Sequence, residues 1–333
     1  MRRVEVAIPG RPYPVLIGAG AIAELAGLVE GQVVIVQDLA LPPLALPGAA
    51  VVKVAAGEDI KSWDGLRQIV DSLEAHRLGR DGTVVALGGG TIGDAAGFAA
   101  SIWQRGVALI NVPTTLLAMV DSAIGGKTGI NSSRAKNAIG SFWQPRAVLC
   151  DLDWLDTLPE AEKQSGYAEI VKYTMTLDPG MADVGDFAEV VERSVRAKAE
   201  IVAADERESG LREVLNYGHT AGHAIEALSG YTLAHGRAVA AGMRVAARIS
   251  QRVLGCPAAV VEQQDRLLAA HGLPGPLPDL AVNRVLDALP GDKKARAGRP
   301  RWVLLRDAGR PEPGHEVPEE IVREAVAEIL SGS

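Results

Sequence analysis

Asp121–Asn137 gathers an acid, a Gly-Gly-Lys-Thr turn, asparagines and further cations into one short stretch. A packed core does not use that mixture, because each buried polar or charged group must find a partner. The stretch reads as a loop-borne site for a small, oxygen-rich, phosphorylated anion. A P-loop is excluded: Asp121 stands where the first glycine before Gly126, Lys127 and Thr128 is required.

A second group of residues lies downstream. The chain has six histidines, and His219, His223 and His235 fall within 17 residues. Neutral imidazoles at this density, with a carboxylate such as Glu169 or Glu208, suit a zinc-like site that keeps an open coordination position. Spacing alone pairs His219 with His223, one helical turn apart. The HExxH protease pattern is absent, since Thr220 stands where its glutamate would act as base. Lys172, Lys198, Glu208, Arg212 and Asn216 lie in the same half of the chain. Singly, each reads as a solvated helix face or an ion pair; only their company makes them candidate site residues.

Upstream, Gly88-Gly89-Gly90-Thr91-Ile92-Gly93 follows an apolar strand and opens a helix. Backbone amides at such a turn can approach a pyrophosphate unobstructed, so a nucleotide is expected. The turn lies on a later strand than in the usual dinucleotide fingerprint, and no acid follows about 20 residues on. Asp38, at the end of an earlier strand, can meet a ribose instead.

The elements that must position these residues alternate in the first half. Val33–Gln37, Ala50–Val54, Thr83–Leu87 and Ala108–Val112 read as strands, with a further one at VLCDL near residue 150. Their continuous apolar character predicts a parallel sheet buried on both faces. Ser62–His76 and Asp94–Ile102 have helical spacing. The second half reads as helices over Ala161–Met175, Asp186–Asp205, Arg212–Leu228, Gly236–Leu254, Ala258–His271 and Ala281–Leu289. A short strand at Trp302–Leu305 and a closing helix at Glu319–Ser331 follow. The expected fold is therefore an α/β N-terminal domain with a Rossmann-like parallel sheet, residues 1–155, plus a mainly α-helical C-terminal domain, residues 156–333. A site between the two is expected.

A length of 333 residues suits about two domains. A net charge of −7 argues against nucleic acid or a membrane surface as partner, so cations needed for an anion must be clustered locally. Two cysteines, Cys150 and Cys256, cannot build a disulfide framework or a cysteine zinc site. No run approaches about 18 uninterrupted apolar residues, and the N-terminus lacks a signal-peptide core, so a cytoplasmic protein is expected.

Ordered motifs along nearly the whole chain resemble the 3-dehydroquinate synthase family. They are GEDIKS (Gly57–Ser62), GGGTIGDAAGF (Gly88–Phe98), QRG (Gln104–Gly106), PTTLLAMVDSAIGGKTGIN (Pro113–Asn131), KNAIGSFWQP (Lys136–Pro145) and LDTLP (Leu155–Pro159). Further on come GYAEIVKY (Gly166–Tyr173), the long run Lys198–Glu226, HGRAVAAGM (His235–Met243) and DKK (Asp292–Lys294). The resemblance implies a tightly held NAD, a divalent metal (zinc or cobalt) and a homodimer, in which Arg105 serves its own or the neighbouring site. It implies Glu169, His219 and His235 as metal ligands, which moves His223 to the substrate side. NAD would be met by Asp38, Gly57, Glu58, Lys61, Gly89, Gly90, Asp94, Thr114, Thr115, Lys136 and Thr157. Substrate would be met by Arg105, Asp121, Lys127, Asn137, Lys172, Lys198, Arg212, Asn216, His223 and Lys293. Lys127, Lys172, Lys198, Glu208 and His223 would take part in catalysis. The implied reaction converts 3-deoxy-D-arabino-heptulosonate 7-phosphate to 3-dehydroquinate and phosphate by transient oxidation, elimination, reduction and aldol closure.

One departure stands out. A glutamate normally follows His-Gly in this pattern, and here Arg237 does. The loop before His235 and the region around Asp178–Asp186 are also short. Two rival activities share the architecture: another sugar phosphate cyclase, and a metal-dependent polyol dehydrogenase that releases NADH.

Overall fold

Strands rich in Val and Ile form where β-branched side chains can be covered on both faces. The computed structural model describes residues 1–133, 135–289 and 300–331. They form two units, Met1–Pro159 with Asp186–Arg207, and Glu160–Gly185 with Glu208–Ser333.

The first unit is built on β1 (Arg2–Val6), β2 (Tyr13–Gly18), β3 (Val33–Asp38), β4 (Ala50–Val54), β5 (Thr83–Gly88), β6 (Ala108–Pro113) and β9 (Ala147–Asp151). These make one sheet in the order β1-β2-β9-β6-β5-β3-β4. Only β1 and β2 pair antiparallel; the remaining neighbours are parallel. A separate hairpin joins β7 (Lys127–Ile130) to β8 (Ile139–Phe142). Alternation along the strands supplies two cores. Val34, Val36, Val84 and Ala86 join one cluster, whereas Val33, Ile35, Val85 and Leu87 join the other.

The helices of this unit are α1 (Leu25–Leu28), α2 (Trp63–Ala75), α3 (Gly90–Ile102) and, after α4 (Glu160–Thr176) of the second unit, α5 (Phe187–Ala204). Ser62 caps α2 by accepting the Gly65 N–H at 3.1 Å. After β3 the chain crosses to β4 on one side, and after that to β5 on the other side of β3. The carboxyl ends of β3 and β5 therefore form a topological switch point, where open parallel sheets take ligands. Asp38 ends β3 and Gly88 ends β5, and the Gln37–Leu87 register makes them neighbours.

Helix α5 lies within the sequence range expected for the second domain, yet it packs on β1, β2 and the turn at Ala118–Ser122. Its buried stripe Val191, Val195, Ala199 and Val202 has helical spacing. Such a stripe requires a cover without saying which unit supplies it. Asp186 is the cap rather than part of the helix, its carboxylate accepting the Ala188 N–H at 3.0 Å.

The second unit contains α4, α6 (His219–Leu228), α7 (His235–Leu254), α8 (Ala258–Ala270), α9 (Val282–Ala288) and α10 (Glu319–Leu330). The hairpin β10 (Trp302–Asp307) and β11 (Arg310–His315) completes it. The helix expected over Arg212–Leu228 is divided into a 3-10 turn at Leu211–Asn216 and α6. Gly218 makes the break with a left-handed φ of 81°. Among the described residues no helix is long and apolar enough to cross a membrane.

Candidate active site

In the first unit the nucleotide-type residues assemble around Lys61. This lysine is buried, and its Nζ donates to Asp94 Oδ2 at 2.6 Å and to Asn137 Oδ1. Burial pushes the Asp94 carboxyl above its ordinary range, while the Lys61 charge opposes that rise. Asn131 extends the network, donating to Glu58 Oε2 at 2.7 Å and accepting the Asn137 N–H at 2.8 Å. Lys136 pairs with Glu58 at 3.7 Å. Asn137, expected on the substrate side, thus shares a network with four expected cofactor residues, Lys61, Asp94, Glu58 and Lys136. Asn131 carried no assignment, although it ends the quoted GGKTGIN run.

The glycine turn is shaped for close approach. Gly89 caps α3, and a Cβ on Gly90 would lie 2.7 Å from Ser122 Oγ. Gly88, Gly89, Gly90 and Gly93 line a small cleft with Asn111 and Ser122. Thr114 is buried and its N–H donates to the Gly88 carbonyl at 3.0 Å; Thr115 Oγ1 accepts the Ala118 N–H at 3.2 Å. Gly57 donates its N–H to Thr91 Oγ1 at 3.2 Å. Asp38 accepts the Ala40 N–H at 3.0 Å, and Thr157 turns its hydroxyl to the Trp154 carbonyl at 3.4 Å. An aspartate ending β3, a glycine-lined turn and a helix start fit a dinucleotide.

Lys198 reaches from α5 to Asp121. Its buried Nζ donates to Asp121 Oδ1 at 2.6 Å and to the Asp121 carbonyl. Two residues far apart in sequence are joined because α5 packs on the turn that carries Asp121. Lys127 begins β7 with an exposed side chain, and Arg105 is exposed with a left-handed φ of 68°.

In the second unit three ligand atoms converge. Glu169 from α4, His219 from the start of α6 and His235 from the start of α7 offer atoms that all lie within 4.8 Å of one another. Glu169 Oε1 stands 3.6 Å from His219 Nε2 and 3.9 Å from His235 Nε2. His219 Nδ1 lies 3.2 Å from the Tyr217 carbonyl, which can only accept, so Nδ1 carries the proton and Nε2 presents a lone pair. Glu169 Oε1 is buried without a hydrogen-bond donor. A buried carboxylate oxygen facing imidazole lone pairs is an arrangement that a cation completes.

Close glycine contacts hold these helices together. A Cβ on Gly236, the residue after His235, would lie 2.3 Å from Ser165 Cα of α4. These contacts let α7 approach α4 and α6 closely enough for the ligands to meet. The His223 ring centroid lies 5.2 Å from that of His219 and 6.2 Å from that of His235. His223 is thus a near neighbour of His219, yet the atoms that converge belong to Glu169, His219 and His235, a grouping across helices in place of the local pair.

Lys172 Nζ forms an ion pair with Glu169 Oε2, both side chains being buried. Arg212 is buried in the 3-10 turn, and Asn216 donates to Glu208 Oε1 at 3.2 Å. Arg237 points to the loop after α8, donating to the carbonyls of Pro274 (2.8 Å) and Pro276. The His235 Nδ1 lies instead 3.1 Å from Glu226 Oε2. Glu226, Tyr217 and Gln264 carried no assignment; the hydroxyl of buried Tyr217 donates to Gln264 Oε1 at 2.6 Å. A signal for Glu226 existed in its spacing, one turn beyond His223 on the same helix. Lys293 lies outside the described residues.

A parallel sheet with a switch-point glycine turn and a carboxylate–histidine centre define a class of nucleotide- and metal-using enzymes. Residues 51–165 match the family described as 3-dehydroquinate synthase N-terminal, and residues 166–295 match 3-dehydroquinate synthase C-terminal. A 3-dehydroquinate synthase of Acidithiobacillus ferrooxidans is 43% identical, with 99% of each chain covered. One from Halorhodospira halophila is 45% identical over 93% of this chain and 94% of that one. Among solved structures, 2-deoxy-scyllo-inosose synthase complexed with carbaglucose-6-phosphate, NAD+ and Co2+ superposes with a TM-score of 0.88 at 25% identity, covering 98% and 100% of the two chains. The chain belongs to the 3-dehydroquinate synthase family. Its reaction class is that of a phosphorus–oxygen lyase.

Proposed function

We propose that the chain converts 3-deoxy-D-arabino-heptulosonate 7-phosphate to 3-dehydroquinate and inorganic phosphate, with no net oxidation. The observation that carries this reading is the convergence of Glu169, His219 and His235 beside Lys172, in a chain of this family. A divalent metal held by those three residues supplies Lewis-acid polarisation of substrate oxygens, and NAD supplies a hydride acceptor that is restored in each turnover.

The chain's own residues divide the remaining work. Asp38, Glu58, Lys61, Asp94, Thr114, Thr115, Lys136, Thr157 and the Gly57 and Gly89–Gly90 backbone bind the nucleotide. Lys127, Lys172, Lys198, Arg212 and Lys293 bind the carboxylate and phosphate of the substrate as charge-assisted hydrogen-bond donors. Asp121, Asn137 and Asn216 orient its hydroxyls. His223 and Glu208 hold and move protons beside the metal ligands, and the substrate phosphate takes the proton lost in elimination. The resemblance further supports a cytoplasmic homodimer in which Arg105 completes a substrate site.

The test is phosphate release from 3-deoxy-D-arabino-heptulosonate 7-phosphate by purified protein supplied with NAD and zinc or cobalt. Phosphate and dehydroquinate in equal amounts, without accumulating NADH, are expected. NADH accumulating on simple polyols, or phosphate released only from another sugar phosphate, overturns the reading.

A further inference from the structure

We infer that Glu226 is a positioning residue for the metal centre, acting through His235; the inference rests on the metal reading above. Glu226 Oε2 lies 3.1 Å from His235 Nδ1, while the Nε2 of the same ring lies 3.9 Å from Glu169 Oε1. A carboxylate accepts the Nδ1 proton, so Nε2 presents its lone pair toward Glu169. The contact thus selects both the tautomer and the ring orientation that a ligand needs.

The need for an anchor is greatest at this histidine. Side-chain exposure is 33% for His235, 13% for His219 and 1% for Glu169, so packing restrains the His235 ring least. Glu226 itself is mostly buried and sits on α6, the helix that also carries His219. One helix therefore supplies a ligand and the anchor of another ligand. The two anchors differ in kind: a neutral carbonyl holds His219, whereas a carboxylate holds His235. A carboxylate partner also strengthens the imidazole as a donor to the metal. Arg237, two residues beyond His235, is engaged with the Pro274 and Pro276 carbonyls and leaves this contact to Glu226.

The experiment compares Glu226→Ala and Glu226→Gln with the parent in the full chain. Zinc affinity is measured by competition with a chelator, and the visible absorption of the Co2+-loaded protein reports ligand geometry. Metal-free thermal unfolding tracks the fold separately. Glu226→Ala should bind zinc about 10- to 100-fold more weakly and alter the Co2+ absorption. Glu226→Gln keeps an acceptor oxygen without the charge and should lose less. If Glu226→Ala does not fold, Glu226→Gln alone carries the test through the same two readouts. Folded variants with the parent's zinc affinity and Co2+ spectrum overturn the inference. Glu169→Ala separates the two levels: if it also keeps the parent's affinity, the metal reading itself fails.

Discussion

Gly242 lies so close to Gly218 that a Cβ placed on it would stand 1.9 Å from the Gly218 carbonyl oxygen. The contact joins α7 to the residue preceding His219, where backbone cannot yield as a flexible side chain would. A methyl group here must push the two helices apart, and overpacking of this kind costs about 1–3 kcal/mol. Gly242→Ala should therefore lower the thermal midpoint and weaken zinc binding together. Unfolding scans with and without zinc check this; an unchanged midpoint would show that the helices accommodate the methyl group.

Lys198→Ala removes the charge-assisted bonds to Asp121. Hydrogen bonds to charged groups contribute about 1.5–3 kcal/mol, so kcat/KM should fall about 10- to 100-fold if the pair orders the substrate site. Zinc content should stay at the parent's value, because Lys198 is not one of the three converging ligands. Steady-state kinetics with metal analysis separates these effects.

His271 gives stability an acid limb. Its ring stacks on Tyr167 with centroids 3.9 Å apart, and burial lowers its pKa below the ordinary 6.5 while Glu160 opposes the shift. The folded state then binds fewer protons than the unfolded chain once the pH drops below that value. The contribution of His271 is present above pH 6.5 and is lost as the pH falls through the lowered folded value. His271→Phe keeps an aromatic face and cannot titrate. Urea unfolding at neutral pH and near pH 5 should show a smaller stability loss in the variant than in the parent.

Arg237→Ala frees the Pro274 and Pro276 carbonyls and should reduce stability by about 1.5–3 kcal/mol, the range for hydrogen bonds that involve a charged group. Zinc affinity should be retained, since His235 is anchored by Glu226. A parallel loss of zinc affinity would tie the arginine to the metal centre after all.

The strands with continuous apolar character were legible because both faces of β3, β5, β6 and β9 are covered. By contrast β1, with its alternating burial and charged outer face, lacks that signal, and the reading passed over β1, β2, β7, β8 and β11. The chemistry-bearing residues were visible by type, since histidine, lysine and asparagine clusters have little place in a core. Their partnerships were not. His219 and His223 are neighbours by helical arithmetic, whereas Glu169 and His235 meet His219 only through glycine contacts such as that of Gly236 with Ser165. The resemblance supplied that set where spacing could not.

The return of Asp186–Arg207 to the first unit makes the chain cross between units three times, after residues 159, 185 and 207. The architecture is consequently not modular along the gene. A single cut cannot release either unit whole, and a chimera spliced at residue 159 would inherit Lys198 from one parent and its partner Asp121 from the other. Recombination among relatives must keep the inserted helix matched to the sheet it covers, so the two halves are constrained to diverge as one.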